Sequence, residues 1–167
     1  MPVVHVCGLG QRLMLFCPNE SPHTCSSRFM LASLLGLLLL PPIVQNQNYH
    51  DFADQRTLFG IPNFWNVASN IPFIGIGAVG LWQFGRSPAT MLLFVGIFLT
   101  GFGSAYYHLE PNDQTLFWDR LPMAISFMAI LTIVIEERVD RRAGAILLWP
   151  MTAIGCLVCY CGAGLVI

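Results

Sequence analysis

Three side chains that could take part in chemistry, a serine, a histidine and an aspartate, lie in the segment 101–123, which reads GFGSAYYHLEPNDQTLFWDRLPM. Ser104 and His108 are four residues apart, so on a helix they share one face and their side chains are neighbours. Asp119 follows after a short polar stretch, and a turn of that length lets the next helix return antiparallel. The spacing therefore predicts that the three groups converge at one membrane surface, where ionisable residues indicate a functional site.

Other roles for the same residues stay open. His108 adjoins two tyrosines and could belong to the aromatic belt at a membrane surface. Asp119 could pair with Arg120 or cap its helix. A serine-hydrolase triad is disfavoured, because a serine and a histidine on one helix face do not have the geometry of a nucleophile elbow. A histidine that binds zinc beside polar groups is at least as natural. From the spacing alone, a functional role and a purely structural role for these residues are equally supported.

A second polar group occupies the segment 49–73, YHDFADQRTLFGIPNFWNVASNIPF. Asp51 and Asp54 precede an apolar run that Asn63, Asn66 and Asn70 enter with helical spacing. Three amides on one face indicate a face buried in a helix bundle. Carboxylate, amide and backbone oxygens also suit a hard cation such as calcium. Helix capping by the aspartates, with hydrogen bonds between helices from the amides, is an equal alternative.

The elements that carry these residues are predicted to be transmembrane helices. The 167 residues are 55% hydrophobic and 10% charged, with a mean hydropathy of +0.64, whereas soluble domains carry about 25% charged residues. We therefore expect an all-α, polytopic transmembrane helical bundle. The net charge of −1 gives no reason to expect nucleic acid as a partner. The apolar runs predict about five spans, at 29–44, 64–84, 88–108, 117–135 and 144–164.

The N-terminal part of the chain divides into two segments. Residues 1–28 lack a hydrophobic period, so we predict a disordered extension before a transmembrane domain at 29–167. The run 29–44 is shorter than the roughly 20 residues of a full span, and Pro41 and Pro42 end its regular helix. We expect a membrane-anchored helix there, because no small-x-small site follows that would indicate a cleaved signal peptide.

The arginines predict the topology. By the positive-inside rule, the side of the bundle with most arginines is cytoplasmic. Six of the eight fall on one side: Arg12, Arg28, Arg86, Arg138, Arg141 and Arg142. The opposite side collects Asp51, Asp54, Glu110, Asp113 and Asp119, with His50 and His108. We therefore expect the polar groups of both clusters at the non-cytoplasmic lip of the membrane.

Three motifs, NFWNVASNIPF, GFGSAYYHL and LFWDRLPM, resemble the alkaline ceramidase family. This family belongs to the membrane hydrolase superfamily that also includes the adiponectin and progestin receptors. The resemblance covers roughly residues 49–135, and the lead-in YHDFADQRT is most similar to the bacterial branch, which implies the bacterial inner membrane. It implies a seven-helix membrane amidase that hydrolyses the N-acyl bond of ceramides or related lipid amides, with zinc in the bundle and a membrane lipid as its partner.

The resemblance also assigns roles by position. His108 would be one zinc ligand, Ser104 would help to hold the oxyanion, and Asp119 would orient or deprotonate the reacting water. A calcium site would map to Asp51, Asp54 and Asn63, with Phe52 offering its backbone carbonyl.

The chain departs from the family pattern in three ways. Asn63 stands where the animal enzymes have a glutamate, and Arg56 lies near an asparagine position, which should weaken calcium binding. The family takes two more zinc ligands from an H-x3-H pair on its last helix, and the other histidines here are His5, His23 and His50. Because apolar sequence continues to Ile167, we expect the N-terminal part of a longer zinc amidase. A non-catalytic, receptor-like or degenerate member of the superfamily is the alternative.

Overall fold

In the computed structural model, residues 45–164 are described. The predicted N-terminal extension and the first predicted span, 29–44, lie outside these residues. A 3-10 helix, Gln47–His50, leads into five α-helices: α1 (Phe64–Ala68), α2 (Ile71–Phe84), α3 (Pro88–Leu109), α4 (Asp113–Arg138) and α5 (Arg141–Gly164). Within the described part of the chain, the only strand-like pairing is an isolated bridge between Leu58 and Ile61.

Four helical segments are long and apolar enough to cross a membrane: Phe64–Phe84, Pro88–Leu109, Asp113–Arg138 and Arg141–Gly162. The prediction of an all-α transmembrane bundle is confirmed, and these segments match four of the five predicted spans. The third of them begins at Asp113 instead of 117, because Asn112 and Thr115 form a capping box that draws polar residues into the first turn. Hydropathy marks the apolar part of a helix, whereas capping sets its end.

The segment predicted as one span at 64–84 is broken between α1 and α2. Pro72 lies in the first turn of α2, where its missing N–H and its ring prevent a regular bond to the carbonyl of Ala68. At this break, the side-chain amide of Asn70 donates to the carbonyl oxygen of Asn66 at 2.8 Å. Asn70 is buried, with 4% of its surface exposed.

Successive membrane helices pack antiparallel through glycines. A Cβ on Gly77 of α2 would lie 2.6 Å from the Cα of Phe98 in α3, and one on Gly96 of α3 would lie 3.0 Å from the carbonyl oxygen of Pro122 in α4. Small residues permit such close backbone approach in membrane proteins. Alternation of helix direction puts the 85–87 and 139–140 turns at one end of the bundle and the 110–112 turn at the other. The four described arginines of the predicted basic side lie at the first end.

Candidate active site

Ser104 and His108 lie one turn apart near the C-terminal end of α3. Ser104 is 8% exposed, and its hydroxyl makes no hydrogen bond to any residue of the 45–164 segment. Two other hydroxyls nearby are engaged by their own helices: Thr100 donates to the carbonyl of Gly96 at 2.8 Å, and Ser126 to that of Pro122 at 3.1 Å. Of these three hydroxyls, Ser104 is therefore the one that has no hydrogen bond to a described residue.

Asp119 lies in the second turn of α4, whose start is fixed by the turn at 110–112. The hydroxyl of Thr115 donates to the carbonyl oxygen of Glu110 at 2.6 Å. Asp119 does not pair with Arg120, which was one of the structural alternatives. Arg120 donates to the side-chain oxygen of Gln45 at 3.0 Å. Between residues 45 and 164, Asp119 has no hydrogen-bond or salt-bridge partner.

Ser104 and Asp119 line one cavity of about 420 Å³ between α2, α3 and α4. The other polar groups on its wall are Asn70, Thr100 and Ser126. The remaining wall is apolar and consists of Phe73, Leu93, Ile97, Met123, Phe127 and Ile130. A few polar groups in an otherwise apolar cleft of this size are typical of a site for a small organic ligand or a lipid segment.

His108 stands one turn beyond Ser104 and does not line that cavity. Its Nδ1 atom is buried and has no hydrogen-bond partner among residues 45–164, a state that costs about 1–3 kcal/mol. The ring of Phe52 packs edge-on against the imidazole, with 4.7 Å between ring centroids. A buried polar atom of this kind is uncommon in folded proteins, which makes this Nδ1 a candidate ligand atom.

The residues present supply only part of a zinc site. A catalytic zinc takes three protein ligands, and His108 has suitable chemistry for one. Within the described segment, no group of three or more histidine, cysteine, aspartate or glutamate side chains could hold a metal ion. These residues alone therefore do not fit a catalytic zinc.

The predicted calcium residues are engaged in other contacts. Arg56 donates to one carboxylate oxygen of Asp54 at 2.5 Å, and the backbone N–H of Trp65 donates to the other at 3.3 Å. Gln55 donates to Asp51 at 2.5 Å. The hydrogen bond from Arg56 holds the pKa of Asp54 below its usual value. A calcium ion would have to displace this guanidinium, so the arrangement does not fit the ion while the pair is in place.

One cluster was missed in the sequence analysis. His50 lies between the hydroxyl of Tyr107 and the carboxylate of Asp113, at 2.9 and 3.0 Å. His50 was placed on the polar side of the bundle without a role, since nothing local connects it to residues 57 and 63 positions further along. In the sequence, His50 adjoins Asp51 and Tyr107 adjoins His108. This adjacency to candidate site residues was the available hint that His50 and Tyr107 contribute to the site.

The comparisons with known proteins agree with these observations. A family model described as Ceramidase matches residues 57–165, which is more than half of the chain and includes Ser104, His108 and Asp119. No curated protein and no solved structure matches the chain. The family match, the all-helical membrane bundle and the polar cavity at 104 and 119 lead to one conclusion: the chain belongs to the ceramidase family.

Proposed function

We propose that this protein is a membrane amidohydrolase that cleaves the N-acyl bond of ceramides or related lipid amides. Membership of the ceramidase family supports amide hydrolysis and a lipid substrate. The observation that carries the proposal is that Ser104 and Asp119, neither bonded to another described residue, line the same cavity between membrane helices. A hydroxyl that can donate to a developing oxyanion and a carboxylate that can accept a proton are two groups that amide hydrolysis can use.

The cavity supports a lipid amide as the substrate class. Leu93, Ile97, Phe127 and Ile130 give it an apolar wall, which matches the apolar surroundings that an acyl chain has among membrane lipids. The amide group would then lie beside Ser104 and Asp119. Four helices able to cross a membrane make an integral, multi-pass location the setting for this chemistry, and the lead-in motif favours a bacterial inner membrane.

The proposed reaction consumes one water molecule. Asp119 accepts a proton from the water as its oxygen adds to the amide carbonyl carbon, a role worth about 10²–10⁴ in rate. The Ser104 hydroxyl donates to the carbonyl oxygen as negative charge develops there, and one such donor is worth about 10²–10³ in kcat. The carbon–nitrogen bond then breaks, the nitrogen takes the proton from Asp119, and a fatty acid and an amine are released.

Zinc is part of the proposal through His108 alone. Its unpartnered, buried Nδ1 supports a role as one ligand, and the two further donors of such a site are not among residues 45–164. Calcium at Asp51, Asp54 and Asn63 stays a prediction from the resemblance. The metal content of the purified protein, compared between wild type and His108→Ala, tests the zinc role without an activity assay.

The decisive experiment measures fatty-acid release from ceramide by the full chain in lipid nanodiscs. We expect release by the wild type and its loss in Asp119→Asn. A non-catalytic, receptor-like or degenerate role is the second candidate, and the missing three-donor metal cluster in the described segment favours it. No release from ceramide or any other lipid amide would overturn the enzymatic proposal in favour of that candidate.

A further inference from the structure

His50 connects two side chains that belong to different membrane helices. Its Nδ1 atom lies 2.9 Å from the hydroxyl oxygen of Tyr107 in α3, and its Nε2 atom lies 3.0 Å from Oδ1 of Asp113 at the start of α4. The imidazole is 10% exposed and Tyr107 is 2% exposed. The bond to Tyr107 is therefore shielded from water, whereas the Asp113 side chain is 24% exposed, so a partner lost at the Tyr107 end is the harder one for solvent to replace.

The carboxylate sets the direction of both bonds. An ionised carboxylate only accepts hydrogen bonds, so Nε2 of His50 carries the proton and donates to Asp113. When the ring carries this one proton, Nδ1 is an acceptor and the Tyr107 hydroxyl donates to it. Gln47 donates to the other oxygen of Asp113 at 3.0 Å. The result is a directed chain of bonds from Tyr107 through His50 to Asp113.

Both ends of this chain adjoin the candidate active site. Tyr107 directly precedes His108 and lies three residues, about one turn, after Ser104. Asp113 lies six residues, less than two turns, before Asp119 in α4. Because a helix is stiff over one or two turns, fixing Tyr107 and Asp113 also fixes the neighbouring site residues.

We propose that His50 is a positioning residue that sets the separation and rotation of the ends of α3 and α4. The proposal rests on the function proposed above, because the geometry at stake is that of Ser104 relative to Asp119. His50, Tyr107 and Asp113 do not line the cavity, so they act through the helices and do not touch substrate. Phe52 extends the same contact, since its ring packs against both Tyr107 and His108.

The kinetic test compares full-length variants in nanodiscs with ceramide as substrate. We expect His50→Ala to lower kcat about 10- to 100-fold, because small misplacement of reacting groups is costly, while KM changes less than about twofold. His50→Gln keeps a donor towards Asp113 and should recover part of the loss. Tyr107→Phe removes only the hydroxyl, and adding it to His50→Ala should cause no further loss, since both changes break the same bond.

Tyr106→Phe is the matched control. Tyr106 is 47% exposed, its hydroxyl makes no hydrogen bond within the described residues, and its neighbour in sequence is Tyr107. We expect it to keep the kcat of the wild type. Unchanged kcat in both His50→Ala and Tyr107→Phe, or a loss that appears only in KM, would overturn the positioning role.

A second readout does not depend on activity. The chain has four histidines, His5, His23, His50 and His108, so ¹⁵N-histidine labelling gives a small set of ring signals. Tyr107→Phe should shift the Nδ1 signal of His50 and move the His108 signals, whereas Tyr106→Phe should move neither. Unmoved His108 signals would overturn the proposal. A wild type that hydrolyses neither ceramide nor any other lipid amide overturns the proposed function, and the NMR result then decides the role of His50 by itself.

Discussion

The side-chain amide of Asn63 donates a 2.9 Å hydrogen bond to the backbone carbonyl oxygen of His108. His108 lies in the last turn of α3, where carbonyl groups have no partner within their own helix. Asn63 is the N-cap of α1 and has a left-handed backbone, with φ 48° and ψ 42°. One asparagine therefore caps the helix end that carries the proposed metal ligand and also makes the turn into α1.

Two substitutions at Asn63 separate these contributions. Asn63→Ala removes the hydrogen bond and also places an alanine in the left-handed region, so we expect a loss of about 2 kcal/mol in the free energy of unfolding. Asn63→Gly removes the bond alone and should lose about 1 kcal/mol. Thermal unfolding in detergent measures both. A glycine variant as unstable as the alanine variant would show that the backbone conformation carries no strain.

Loss of either proposed catalytic side chain should lower kcat while the fold is retained. We expect Ser104→Ala to reduce kcat about 10²–10³-fold and Asp119→Asn about 10²–10⁴-fold. Because neither side chain is bonded to a described residue, the Tm should change little. Ceramide turnover and a thermal melt check both statements. Ser69→Ala, at an exposed serine outside the cavity, is the control, and a turnover loss equal to that of Ser104→Ala would count against the site.

The pairing of Asp54 with Arg56 predicts the response to calcium. Since the guanidinium already neutralises the carboxylate, we expect neither calcium chloride nor a chelator to change the Tm of the wild type. Arg56→Gln frees Asp54 and removes a repelling charge, so its Tm should rise with calcium. A calcium-dependent Tm in the wild type would show that the ion displaces Arg56.

The lowered pKa of Asp54 predicts a loss of stability in acid. A carboxyl group whose pKa is lower in the folded than in the unfolded state stabilises the fold above the unfolded value, and this stabilisation disappears as the pH falls through the folded value. The ordinary value is 3.8, so the loss falls below about pH 4. We expect the Tm of the wild type to fall more steeply in this range than that of Arg56→Gln. If the Tm of the two proteins fell with pH at the same slope, the result would contradict a stabilising ion pair between Asp54 and Arg56.

The contact between α3 and α4 beside the site predicts the effect of a single methyl group. A Cβ on Gly103 would overlap the backbone carbonyl of Trp118, and these residues adjoin Ser104 and Asp119. Gly103→Ala should therefore cost about 1–3 kcal/mol and also reduce turnover. Gly75→Ala is the matched control, because a Cβ there meets no atom of the described residues within 4 Å. Equal melting curves for the two variants would mean that α3 and α4 can move apart at Gly103 without a loss of stability.

Local patterns were enough to predict the fold class and part of the site. Long apolar runs require helices in a membrane, because each backbone polar group must be satisfied within its own segment. The four-residue spacing of Ser104 and His108 places them on one face of any helix that contains both. The break before α2 was also accessible from Pro72 but was missed, since hydropathy does not register the missing N–H of proline.

Only the tertiary structure decided what each polar group contacts. The sequence left Asp119 free to pair with the adjacent Arg120, but Arg120 turns to Gln45, 75 residues away, and leaves the carboxylate facing the cavity with Ser104. His50 likewise meets Tyr107 and Asp113, and Asn63 meets His108, across more than 40 residues. Such contacts depend on how whole helices rotate and approach each other. The packing of glycines between α2, α3 and α4 sets this rotation and distance. Helical periodicity fixes neighbours within one helix and carries no information about its partners.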